Sequence, residues 1–389
     1  MAKLKQMIRN DIPHEFNEMK ILMEHRKRLE LILQGEVLPP YEVLIHPTAT
    51  CNLSCKWCIG QNVDNEETTN VKNALTVPEN LMNLAKSLVS YKKEYIIDGK
   101  KEKFGVEKVS FSGITGEPMM ASKALIPTIE YLATNDIKVG MFSNGLLINK
   151  NNMETILKMN YILVSLDAGN GSTYDFLKTE DKKTKNFETI LNNLKMLIDN
   201  REKYNSNLDV NIGFIVNAYN YKEMYDLAGI LKSIGVHNFR IKTDIASRLN
   251  VDDEMIKEIK RDFERIRQDF EDGYFKLVTI HKLEENDKIR TFNKCTINKL
   301  VSNVSSDGNV YACNYHPPID GVRYDNVLKY DFETIWENAN KDFDIKELCP
   351  KMCDPFKTRA NNLLDAITES DDISTGINEA LEIYEFEKK

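Results

Sequence analysis

The chain predicts an α/β fold, with six strand–helix units of a partial (β/α)6 barrel followed by a smaller module. Three observations carry this expectation. From Tyr41 to about residue 245, short apolar runs alternate with amphipathic segments, the pattern of parallel β/α units. The 389 residues are too many for one compact layer. The seven cysteines are segregated, with Cys51, Cys55 and Cys58 near the start and Cys295, Cys313, Cys349 and Cys353 near the end. Two thiolate sites in two modules are the simplest account.

Composition narrows the function classes. The formal charge of −8 and pI near 5.5 argue against a nucleic-acid partner, because phosphate-tracking proteins carry a basic excess. The opening residues MAKLKQMIRN hold no apolar signal region, and no apolar run approaches the roughly 20 residues of a membrane span. The expectation is therefore a cytoplasmic chain with no membrane partner. An odd number of cysteines in such a chain reads as metal ligation rather than a disulfide framework.

Residues 1–40 form a charged helical extension that ends at Gly35 and the Pro39–Pro40 break. The barrel occupies 41–250, with strands expected at 42–47, 107–112, 137–142, 161–167, 209–216 and 238–243. Residues 251–290 hold a long charged helix and the apolar strand FKLVTI as a bridge. Cysteine-bearing residues 291–360 make the second module, and 361–389 read as a helical tail. Within 291–360, Val301, Val304, Val310 and Tyr311 flank Ser306-Asp307-Gly308-Asn309 as a hairpin would, bringing Cys295 and Cys313 to one end.

Chemistry gathers at the strand ends, where parallel folds bind ligands. The first strand empties into Cys51-x3-Cys55-x2-Cys58, three thiols close enough for one metal centre. Three protein ligands leave one coordination position for chemistry, whereas structural zinc closes with four. A zinc knuckle completed by His46 or a distant residue, or three unrelated thiols, are the other readings. After the second strand, Ser112-Gly113-Ile114-Thr115-Gly116-Glu117-Pro118 lets the backbone approach a ligand closely. Asn144 and Ser165, at the third and fourth strand ends, each offer donor and acceptor groups. On the sixth strand Arg240, Lys242 and Asp244 share one face, and periodicity does not decide whether that face is interior.

The cysteine loop, with Trp57 just before Cys58, resembles the cluster loop of the radical S-adenosylmethionine (SAM) superfamily. The resemblance implies a 4Fe–4S cluster on Cys51, Cys55 and Cys58 whose free iron binds SAM. Gly116-Glu117-Pro118 is similar to that family's Gly-Gly-Glu-Pro motif, with Thr115 in the place of its first glycine. Phe142-Ser143-Asn144-Gly145 and Ser165-Leu166-Asp167-Ala168 resemble its Thr-Asn-Gly and Ser-Leu-Asp-Gly strand ends. By this resemblance Trp57, Thr115, Gly116, Glu117, Asn144, Ser165 and Val216 contact or border SAM.

The spacing Cys295-x12-Gly308-x4-Cys313 resembles the auxiliary-cluster domains called SPASM, and in their shorter form twitch. Cys349 and Cys353 complete four ligands, which fits one auxiliary 4Fe–4S cluster; zinc closes such a site equally well. The fold implied is then a partial barrel with a C-terminal twitch/SPASM-like iron–sulfur domain. The family's activity implies reductive cleavage of SAM, fed by an external electron donor such as flavodoxin or ferredoxin. With seven cysteines assigned to two clusters no thiol is left to return a hydrogen atom, which disfavours epimerisation. The expectation is oxidation of a small polar metabolite such as a carbohydrate, aminocyclitol or amino-acid derivative, the auxiliary cluster accepting the electron. Asp244, Lys242, Arg240, His316 and Tyr315 are candidate bases. A peptide or protein maturase, or a non-catalytic metal scaffold, are the alternatives.

Overall fold

The computed structural model describes residues 2–8, 19–58, 73–113, 116–243, 249–280, 292–313, 322–349, 353, 355–370 and 372–387. Its strands are β1 (Glu42–Ile45), β2 (Lys92–Ile97), β3 (Lys100–Gly105), β4 (Lys108–Phe111), β5 (Lys138–Ser143) and β6 (Tyr161–Ser165). They continue as β7 (Asp209–Val216), β8 (Asn238–Thr243), β9 (Lys276–Ile280), β10 (Val301–Val304), β11 (Asn309–Tyr311) and β12 (Arg323–Asn326). Each of the six expected barrel strands is present. Strands β1, β4, β5, β6, β7, β8 and β9 pair in parallel in that order, so the apolar strand of the bridge adds a seventh.

Period-two burial explains the sheet. Val43, Ile45, Val109, Phe111, Val139, Met141, Ile162, Val164, Ile212, Phe214, Phe239 and Ile241 form one apolar face. That face packs on helices Pro78–Ser90, Ser122–Thr134, Asn186–Asn200, Met224–Ile234 and Asp253–Phe270. The opposite, interior face carries Glu42, Ser110, Phe142, Tyr161, Leu163, Ser165, Arg240 and Lys242, because register partners in parallel strands share a face. Gly140 makes room there, since a Cβ on it would lie 2.1 Å from the Tyr161 ring.

The C-terminal module continues this sheet. Strand β10 pairs in parallel with β1 on the side away from β4, and β11 returns antiparallel to β10. The turn forms at the expected Asp-Gly: Gly308 has φ +87°, and Asp307 accepts the Asn309 amide at 3.0 Å. Helix Phe332–Asn338 buries Phe332, Ile335 and Trp336, and the indole of Trp336 donates to the Leu38 carbonyl at 2.8 Å.

Helices Ala2–Met7, Met19–Leu33, Pro355–Thr368 and Ile373–Glu387 make a second core, joining Leu22, Leu29 and Ile32 to Leu363, Ile367 and Tyr384. Leu300, Val301 and the half-buried Cys295 pack into it, so the two ends of the chain brace the second cysteine set. Among the described residues no helix is long and apolar enough to cross a membrane.

Candidate active site at the strand ends

Strand β1 delivers the chain into the three-cysteine loop at the carboxyl edge of the sheet. The loop is fastened by its backbone. The Thr50 carbonyl accepts the Glu117 amide at 2.9 Å, and the Ser54 and Lys56 amides donate to the carbonyls of Lys178 and Leu177 at 2.9 and 3.0 Å. Asn73 caps the loop's start by accepting the Ala49 amide at 2.8 Å. Gly116 has no room for a side chain, because a Cβ would lie 2.1 Å from the Thr48 carbonyl oxygen. Its small size thus lets the second strand-end loop lie against the first.

Cys51, Cys55 and Cys58 are all free of disulfides; Cys51 is exposed and the other two are half-buried. Burial pushes the Cys55 thiol up to about 12, Lys178 opposes the rise, and Asp167, Cys58 and Cys51 add to it. Burial likewise raises Cys51, with Glu117 and Cys58 contributing. The thiols therefore lie near enough to repel one another as thiolates, a donor set that a bound cation would relieve. Among the described residues no three His, Cys, Asp or Glu side chains are already arranged to hold a metal ion. The loop supplies neighbouring thiols, not a closed ligand set, and those thiols fit an iron–sulfur centre in number, type and freedom from disulfides.

Glu117 is 2% exposed and braces three loops at once. Its carboxylate accepts the Ser143 hydroxyl at 2.7 Å, the Asn144 amide at 2.7 Å and the Met119 amide at 3.2 Å. The Asn144 side chain in turn donates to Asn52, inside the cysteine loop, at 2.7 Å. His46, at the end of β1, is buried with Nδ1 3.0 Å from the Ser112 carbonyl oxygen. Burial holds His46 down at about 4, the Ser112 carbonyl opposing and Lys357 assisting, so it is neutral at neutral pH.

The remaining sequence candidates sort by position. Trp57 is buried, its ring 5.8 Å from the Lys178 ammonium. The Ser165 carbonyl accepts from Lys178 at 2.5 Å. The Val216 side chain lies in the helix-packed core, which leaves its backbone at the end of β7. Arg240 and Lys242 are half-buried on the interior face, which settles the side that periodicity left undecided. Thr115, Asp244, Tyr315 and His316 lie outside the described residues.

One pair was missed from sequence. Lys178 Nζ lies 2.7 Å from Asp167 Oδ2, with both side chains almost fully buried beside Cys55. The available signal was the place of Lys178 four residues after the buried Tyr174, on the same face of helix Gly171–Lys178.

Three cysteines of the second set gather beside the β10–β11 hairpin. Burial pushes the Cys295 thiol up to about 12, and Cys313 and Cys353 raise it further, which brings three of the four sulfurs into one neighbourhood. Lys357 Nζ lies 3.4 Å from Cys313 Sγ and Asn361 Nδ2 3.4 Å from Cys295 Sγ. Cys349 is half-buried. Lys357, which contacts Cys313, also acts electrostatically on His46 at the end of β1.

Comparison with known proteins agrees with this geometry. Residues 45–228 match the family model described as the Radical SAM superfamily. An S-adenosylmethionine-dependent nucleotide dehydratase from Fibrobacter sp. (strain UWH6) is 24% identical over 184 residues, covering 46% of this chain and 48% of that protein. The chain thus spans about half the length of the curated relative it matches. Streptococcus suis SuiB bound to S-adenosylmethionine superposes with a TM-score of 0.56 at 15% identity, over 83% of this chain and 71% of SuiB. Native anSMEcpe with bound AdoMet and Cp18Cys peptide superposes at 0.55 and 16% identity, over 90% of this chain and 98% of that one. At these identities the two structures are similar in fold.

Proposed function

We propose that this chain, whose residues 45–228 match the radical SAM superfamily model, is a SAM-cleaving oxidoreductase acting on a small polar metabolite. The observation that carries this reading is the pair of disulfide-free thiol neighbourhoods, Cys51, Cys55 and Cys58 after β1 and Cys295, Cys313 and Cys353 beside the β10–β11 hairpin. Cys51, Cys55 and Cys58 would hold the cluster that binds SAM; Cys295, Cys313, Cys349 and Cys353 would hold an auxiliary one. Bound there, SAM and the two clusters would supply hydrogen-abstracting radical chemistry and an electron acceptor.

The protein's own contribution is placement. Glu117 and Asn144 lock the three strand-end loops together, so the cysteine loop keeps one position over the barrel mouth. The same interior face carries Phe142 and Leu163 on β5 and β6 and, across β7, Arg240 and Lys242 on β8, a mixture of apolar and basic groups suited to a compact polar molecule. No thiol outside the two sets remains to hand a hydrogen atom back, which favours oxidation over epimerisation. An external low-potential donor such as flavodoxin or ferredoxin completes the requirement.

A second reading is a peptide maturase. Its support is the likeness in fold to anSMEcpe, described with a bound peptide, and to SuiB, described bound to precursor peptide SuiA. Product mass separates the two. With reductant and SAM, a sugar, aminocyclitol or amino-acid derivative is expected to lose a pair of hydrogen atoms; the same change or a crosslink confined to a peptide would replace the first reading with the second.

A further inference from the structure

The Lys178–Asp167 pair is costly to bury, since desolvation of two charges commonly outweighs their attraction. Its side chains are 2% and 3% exposed. Both partners are nevertheless locked in place. Asp167 holds φ +57°, accepts the Ile215 amide at 2.6 Å through its carboxylate and the Asn220 side-chain amide at 2.9 Å through its carbonyl. Lys178 donates to both Asp167 and the Ser165 carbonyl.

The position of the pair is as specific as its contacts. Lys178 ends helix Gly171–Lys178, and the carbonyls of Leu177 and Lys178 accept the amides of Lys56 and Ser54. Those amides flank Cys55 on either side, so the helix end and the loop satisfy each other's exposed backbone groups. Lys178 Nζ faces this loop, 5.8 Å from the ring of Trp57 next to Cys58, and the two charges of the pair act on Cys55 with opposite signs. The loop therefore meets the positive end of the pair.

We propose that Lys178 is a positioning residue of the three-cysteine centre, its carbonyl fastening the loop and its buried ammonium raising the reduction potential of the cluster held there, with Asp167 moderating the effect. This rests on the reading that Cys51, Cys55 and Cys58 ligate a cluster. Net charge near an iron–sulfur centre shifts its potential, so the two halves of the pair must act in opposite directions.

The test is an anaerobic redox titration of the holoenzyme without SAM, followed by the paramagnetic signal that SAM addition perturbs. Lys178→Met is expected to lower the midpoint potential and to weaken iron retention roughly 10- to 100-fold. Asp167→Asn is expected to raise the potential. Because either change leaves one charge buried alone, the double variant Lys178→Met/Asp167→Asn is titrated beside them, with a smaller fall expected than for Lys178→Met. Potentials equal to that of the unmodified enzyme, or single variants shifting in the same direction, overturn the proposal. A SAM-responsive signal that survives Cys55→Ala overturns instead the ligand reading beneath it.

Discussion

Cys55→Ala is expected to hold about four irons per chain where about eight are expected in the unmodified protein, and to release no 5′-deoxyadenosine from SAM. Removing one of three thiolates leaves too few ligands for the first cluster. The loss would not come from unfolding. The loop's fastening runs through the backbone amides of Ser54 and Lys56 and the carbonyl of Thr50, none of which the substitution touches. Cys295→Ala gives the complementary result: SAM cleavage persists while oxidation of the substrate fails. Iron analysis and chromatography of the SAM products check both. Loss of SAM cleavage in the two variants alike would mean that the sites do not divide the chemistry.

Glu117→Ala is expected to destabilise the fold by roughly 3 to 5 kcal/mol, measured by denaturant unfolding. The substitution leaves the Ser143 hydroxyl and the Asn144 and Met119 amides without their acceptor inside a buried strand-end layer. Glu117→Gln keeps an acceptor oxygen and is expected to cost clearly less. The two variants also separate by pH. Burial holds the Glu117 carboxyl above its ordinary value of 4.5, although the Asn144, Ser143 and Met119 donors and Lys178 oppose the rise. A carboxyl raised in the folded state contributes stability that is full below the unfolded value and is lost as pH rises through the folded value. Glu117→Gln should flatten the pH dependence of stability just above pH 4.5; an unchanged slope would show that another group titrates there.

The barrel was legible because apolar runs such as Val109–Phe111 and Ile162–Val164 are short, period-two and bounded by turn residues. The Asp307-Gly308 hairpin was legible for a local reason, the need for positive φ at the glycine. Long-range pairing was not. Nothing in Val301–Val304 announces that it will lie beside Glu42–Ile45, because parallel partners are chosen by tertiary packing of the terminal helices against both. Likewise, the face of Arg240 and Lys242 was decided by Phe239 and Ile241, whose burial against helices turns the charges inward. Glu117 was found in sequence as a motif residue, yet its bonds go to Ser143, Asn144 and Met119, partners that only folding brings near. The Lys178–Asp167 pair escaped notice because a lysine at a helix end ordinarily signals solvent.

The central claim is that the three cysteines after β1 carry a SAM-cleaving cluster, and it is tested most directly on the anaerobically reconstituted full chain. Iron, sulfide and zinc are quantified, and SAM is then incubated with the protein and a strong reductant. The account predicts about eight irons with matching sulfide, and methionine released together with 5′-deoxyadenosine in equal amounts. Zinc without sulfide, with SAM left intact, would contradict it.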